Sequence, residues 1–137
     1  MLADHQDRKL RVLVVWEPIL TTDWRSPTRS TLARLPDPRV RQFWDKNHVV
    51  SAALTGIAAH HPPDPRPDCC IDNGFYWDEA ILFPPGTRWN DSASSAFWNG
   101  PVVKAAPNLE KSLAAVKVPL NAAPANELPA SAPPTQR

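Results

Sequence analysis

The chain has 137 residues, with 15 basic and 14 acidic side chains and a formal charge of +1. That length suits one small domain and excludes most multi-domain machines. The charge balance gives no general support to nucleic-acid binding, which needs several phosphates neutralised at once. Proline makes up 17 of the 137 residues, about 12% against a usual value of roughly 5%, but a hydrophobic share of 42% and 6 tryptophans argue for a packed core rather than global disorder.

Residues 11–16 read Arg-Val-Leu-Val-Val-Trp, a short apolar run rich in β-branched side chains. The run predicts a central strand buried on both faces, of the kind found in parallel or mixed sheets. Pro18 closes it, because proline cannot donate to a ladder. Ser26-Pro27 and Asp37-Pro38 each put a capping oxygen before a proline, the pattern of an N-cap followed by the first helical position. They predict a brief helix over 27–35 and a longer one over 38–59. Val40, Phe43, Trp44, Val50, Leu54 and Ile57 keep mostly helical spacing in the second, although Asn47 and His48 interrupt the stripe.

Residues 60–72 carry four prolines between Pro62 and Pro67 and predict an extended surface loop. A strand is expected over 76–83, closed by the turn Pro84-Pro85-Gly86. A second apolar segment follows over 96–103, broken by Asn99-Gly100, and Pro107 is placed to open a last helix with Leu109, Leu113 and Val116 on one face. From 118 onward, Ala, Pro, Asn and Ser dominate, which predicts a disordered tail over 118–137. No apolar run approaches the roughly 20 residues of a membrane span. Charges stand where a signal peptide would be apolar, so the expectation is an unprocessed cytoplasmic protein with neither membrane nor nucleic acid as partner.

Four groups of side chains invite a chemical reading. Cys69 and Cys70 are adjacent, and neighbouring Cα atoms sit below the usual disulfide range, so a vicinal dithiol is expected over a structural bridge. Such a dithiol suits thiol-redox or soft-metal chemistry, with His60 and His61 nine residues upstream as conceivable further ligands, or else the cysteines are incidental. Arg25, Arg29 and Arg34, in an arginine-rich stretch beside expected helix starts, could hold an anion, or simply pair with interleaved aspartates. Glu17 and Asp23 lie on the loop leaving the first strand, where acid–base groups often sit, but no histidine or nucleophile is near them in sequence, and Glu17 is expected to pair with an arginine or cap a turn. Of the tryptophans, Trp24, Trp89 and Trp98 are flanked by polar residues and are the ones expected to be partly exposed.

The segments Arg11 to Trp16, Glu17-Pro18-Ile-Leu-Thr-Thr-Asp-Trp24, Glu79-Ala-Ile-Leu-Phe-Pro-Pro-Gly86 and Trp98-Asn-Gly-Pro-Val-Val103, with the helix after them, resemble in order a thioredoxin-like domain over residues 9–117. The chain also resembles small uncharacterised bacterial proteins with a Trp-Glu-Pro…Thr-Asp-Trp segment after that strand and no Cys-x-x-Cys centre. The resemblance implies an α/β fold, a three-layer sandwich around a mixed central sheet. Thioredoxins carry Cys-x-x-Cys in the loop after the first strand, where this chain has no cysteine between Glu17 and Pro27, so no catalytic residue carries over. No cofactor is implied. The resulting expectation is a thioredoxin-like protein using Cys69 and Cys70 for thiol or soft-metal chemistry toward a protein or small-molecule partner. The alternative is a small enzyme or anion-binding module built on the Glu17–Asp23 loop.

Overall fold

The computed structural model describes residues 2–23, 25–67, 69–72, 75–90 and 93–116. The expected tail over 118–137 and Trp24 lie outside the described residues. The chain is mixed α/β: strands β1 (Val12–Trp16), β2 (Val40–Trp44), β3 (Ile71–Asp72), β4 (Phe75–Tyr76), β5 (Ala80–Leu82) and β6 (Phe97–Asn99), with helices α1 (Arg29–Leu32), α2 (Val49–His60) and α3 (Val102–Ala115). In place of one mixed central sheet, the described strands form three two-stranded sheets. β1 and β2 are parallel, and the pairs β3–β4 and β5–β6 are antiparallel. No helix among the described residues is long and apolar enough to cross a membrane.

The largest departure from expectation is the helix over 38–59. Val40 to Trp44 is a strand, and the helix begins only at Val49. Val40, Gln42 and Trp44 alternate with Arg41 and Phe43, a period of two that the apolar spacing alone does not separate from a helix. The parallel partner decides it, with Val12 opposite Val40 and Trp16 opposite Trp44. On the shared face, the Trp16 indole N–H donates to Gln42 Oε1 at 3.1 Å. The opposite face is not covered as expected: Leu13 and Phe43 are both about half exposed.

Asp37 does not cap a helix either. Its carboxylate accepts two hydrogen bonds from the Arg39 guanidinium, at 2.9 and 2.6 Å. Arg39 also donates to the carbonyls of Leu2, His5 and Arg8, tying the N-terminal segment to the start of the β1–β2 pair. The first helix shrinks to 29–32 because its cap is Thr28, whose Oγ1 accepts from Thr31 N at 3.2 Å, and not Ser26.

Helix α2 carries the core. Val50, Leu54, Ile57 and Ala58 recur at helical spacing and pack with Ala93, Trp98, Tyr76, Ile81 and Phe83. Ile57 is 2% exposed, and burying such a side chain contributes about 1.5–3 kcal/mol. Ser51 is fully buried in the same helix, and its hydroxyl donates to the Tyr76 carbonyl at 3.0 Å, fastening β4 to α2. Trp98, expected near the surface, is 4% exposed, whereas Trp77 and Trp89 stand further out.

The expected strand over 76–83 is divided between β4 and β5, with Asp78 between them at φ +52°. The final helix starts at Val102 rather than after Pro107. Pro107 lies inside α3, where it cannot donate to the Val103 carbonyl four residues back. Val103 is on the exposed side of the helix, so water can take that place.

Candidate functional site

Parallel pairing brings the ends of β1 and β2 together. Asp45 N donates to the Trp16 carbonyl, so Glu17 and Asp45 each leave a strand at the same edge. Crevices outside the carboxyl ends of parallel strands are the usual ligand sites of open α/β sheets. The partner of Glu17 here is a histidine and not an arginine. Its Oε2 lies 3.1 Å from His48 Nδ1, and its side chain is only 10% exposed. The missing acid–base partner is thus 31 residues away in sequence and adjacent in space.

His48 is held from several sides. It occupies the N-cap of α2 at φ +55°, a left-handed conformation that L side chains adopt at a cost of roughly 1–2 kcal/mol. Its ring lies 4.8 Å from that of Phe75. Having no cap bond of its own, it leaves the helix start to Asp45, whose Oδ2 accepts from Val50 N at 2.7 Å. Burial would raise the Asp45 carboxyl, but backbone donors at Val50, Val49 and Asn47, with His48 alongside, outweigh it and hold the group below its ordinary range. A carboxylate on one ring nitrogen sets the tautomer and leaves the other nitrogen to exchange protons. Among the described residues, His48 Nε2 has no hydrogen-bond partner.

Phe75 belongs to the β3–β4 hairpin, and the cysteines stand at the hairpin's open end. Ile71 pairs with Tyr76 and Asp72 with Phe75, and the ladder continues one step further with Trp77 N donating to the Cys70 carbonyl at 2.9 Å. Contrary to the expected dithiol, Cys69 and Cys70 are joined as a vicinal disulfide, with Cα atoms 3.7 Å apart. The backbone accommodates the eight-membered ring with Cys70 at φ +76°. Both residues are half-buried, behind a buried Pro67.

The other expected site residues go elsewhere. Asp23 closes its own turn, accepting from Leu20 N at 2.9 Å while its N–H donates to the Leu20 carbonyl. Arg25, Arg29 and Arg34 are exposed, and the arginine that organises structure is Arg39. His60 donates from Nδ1 to the Gly56 carbonyl, and with His61 it lines a cleft of about 320 Å³ together with Asp64, Phe97 and Trp98. The cysteines do not line that cleft. Among the described residues, no group of three or more His, Cys, Asp or Glu side chains is placed to hold a metal ion.

One further acid stands out. Both carboxylate oxygens of Glu79 are shut from solvent without a hydrogen-bond partner among the described residues, as is the Trp98 indole nitrogen. Burial, and after it the Asp78 charge, pushes Glu79 up to about 7. No family model matches this chain, and comparison with curated proteins and with solved structures finds no match either.

Proposed function

We propose that the chain is a thioredoxin-like domain whose redox couple is the adjacent pair Cys69–Cys70, in place of a Cys-x-x-Cys centre after the first strand. The support for the fold is the order of its outer elements, a parallel β1–α1–β2 unit, then α2, and after the short β3–β4 hairpin the antiparallel β5–β6 pair closed by α3. The observation that carries the function is the bond between the two sulfurs at the open end of a short hairpin. A half-buried cystine next to a fixed strand is a two-electron acceptor for thiols. Two thiols reduce it to the Cys69/Cys70 dithiol and leave as their own disulfide.

Thiol counting tests the proposal. The oxidised protein should show no reactive thiol and the reduced protein two, with reoxidation restoring the first state. Replacing both cysteines by serine should abolish the cycle without loss of fold. Two thiols that stay free under oxidising conditions would overturn it, as would a reduced protein purified with a stoichiometric soft metal.

A further inference from the structure

Given the redox role proposed above, the geometry points to a second functional group in the same reaction. We propose that His48, positioned by Glu17, is the general base that deprotonates the incoming thiol. Three observations converge on it. The imidazole is oriented by a carboxylate that is nine-tenths buried, at 3.1 Å from Nδ1. The residue keeps a left-handed backbone although a glycine or asparagine would fit there with less strain. Its ring also rests on Phe75, which stands on the hairpin whose ladder runs on to Cys70. The period of two along β4 sends Tyr76 to the opposite face, where its ring lies 4.9 Å from Trp98 in the core. The Phe75 face of the hairpin is therefore the one turned toward His48 and the carboxyl edge of β1–β2. Among the described residues, the charged groups shown against the imidazole are Glu17 and Asp45.

A thiol gives its proton to His48 Nε2, and its sulfur bonds to one cysteine sulfur as the Cys69–Cys70 bond breaks. The released cysteine thiolate takes the proton back from the imidazolium. A second thiol then attacks the mixed disulfide, the low-molecular-weight disulfide leaves, and both cysteines end as thiols. His48 is unchanged, and two electrons have passed from the two thiols to the cystine. Free thiols are only slightly ionised near neutral pH, so a base beside the reacting sulfur matters most there.

The test is the rate of reduction of the full oxidised chain by mercaptoethanol as a function of pH, for the wild type, His48→Asn and Glu17→Gln. Asparagine tolerates the left-handed backbone and is itself a good N-cap, so His48→Asn should preserve the fold. It should slow reduction by about tenfold near pH 6 and converge with the wild type near pH 9, where the thiol ionises unaided. Glu17→Gln keeps an acceptor for the Nδ1 proton but loses the charge, and should give a smaller loss with the same convergence. A His48→Asn profile that overlays the wild type at every pH overturns this inference and leaves the redox role standing. A wild-type cystine that mercaptoethanol fails to reduce at any pH overturns both. If His48→Asn does not fold, the Glu17→Gln profile decides, and an overlay there is equally fatal.

Discussion

The two ends of the β1–β2 pair carry charged pairs of opposite character. At the amino end, Arg39 spends its guanidinium on both oxygens of Asp37 and on three carbonyls of the N-terminal segment. At the carboxyl end, Glu17 holds one nitrogen of His48 and the other has no partner among the described residues. The first pair is saturated, and its work is to pin the N-terminus to the strand ends. The second is built to orient a group and leave it with something to do. Charge alone does not mark a site; the valence left open after every neighbour is counted is the better guide.

The saturated end should break most visibly. Arg39→Met strands the Asp37 carboxylate and frees three carbonyls, and should lower the thermal midpoint more than any other substitution named here while leaving cystine reduction unchanged. Arg39 hydrogen bonds hold the Asp37 carboxyl at about 2, so its contribution to stability is fully present above pH 4 and is lost as the pH falls through that value. In Arg39→Met the acid melting limb should therefore flatten, as read by circular dichroism between about pH 4 and pH 2.

Between these extremes lies Glu79, a half-buried residue whose carboxylate oxygens are shut from solvent and have no hydrogen-bond partner among the described residues. Gly100 makes room for it: a Cβ there would lie 2.8 Å from the Asp78 carbonyl oxygen and 3.0 Å from Glu79 Cδ and Oε2. Gly100→Ala must shift backbone as well as side chain, and should cost about 1–3 kcal/mol in chemical denaturation. An alanine that leaves stability unchanged would show that the 78–79 backbone yields freely.

Glu79→Gln isolates the charge. A folded-state value raised to about 7 means that the native state binds the proton more tightly, so wild-type stability falls as the pH rises from about 4.5 to about 7 and then levels. After allowance for solvent screening of a partly exposed residue, the loss is about 1–2 kcal/mol. Glutamine should match the wild type near pH 4.5 and exceed it by that amount at pH 8. Parallel stability curves for the two proteins would show that the Glu79 charge costs the fold nothing.

How much of this the sequence carried follows from the range of each interaction. The β1 strand was legible because its apolar run is short, rich in β-branched residues and closed by Pro18. The β2 strand was not, since Val40-Arg-Gln-Phe-Trp44 fits two periods and only the parallel register with β1 chooses between them. Asn47 and His48 did signal that the helix had not yet begun, but read as interruptions they concealed both the cap and the site. Glu17 stands out by its place after a strand, while its partner, 31 residues on, becomes visible only once the register is known. The adjacency of Cys69 and Cys70 was plain, yet their bonding goes with a Cys70 backbone at φ +76°, which adjacency alone does not reveal.

The smallest expected effect concerns the strand that links the two functional groups. Ser51 is fully buried, and its hydroxyl ties α2, which begins just after His48, to the Tyr76 carbonyl between Phe75 and Trp77. If the hairpin is merely surface decoration, Ser51→Ala should lower stability and change nothing else. If the hairpin presents the cystine to His48, loosening β4 should also blunt the kinetic advantage at low pH. The expected loss of stability is about 1 kcal/mol, the net value of one hydrogen bond, somewhat more if the orphaned carbonyl finds no water. Expected with it is a fall in mercaptoethanol reduction near pH 6 smaller than that of His48→Asn. A Ser51→Ala protein that is less stable but keeps the wild-type pH profile would mean that Phe75 holds its place on His48 through packing alone. The hairpin would then be rigid for reasons independent of α2, and Glu17 and His48 would act without the Ser51 tie.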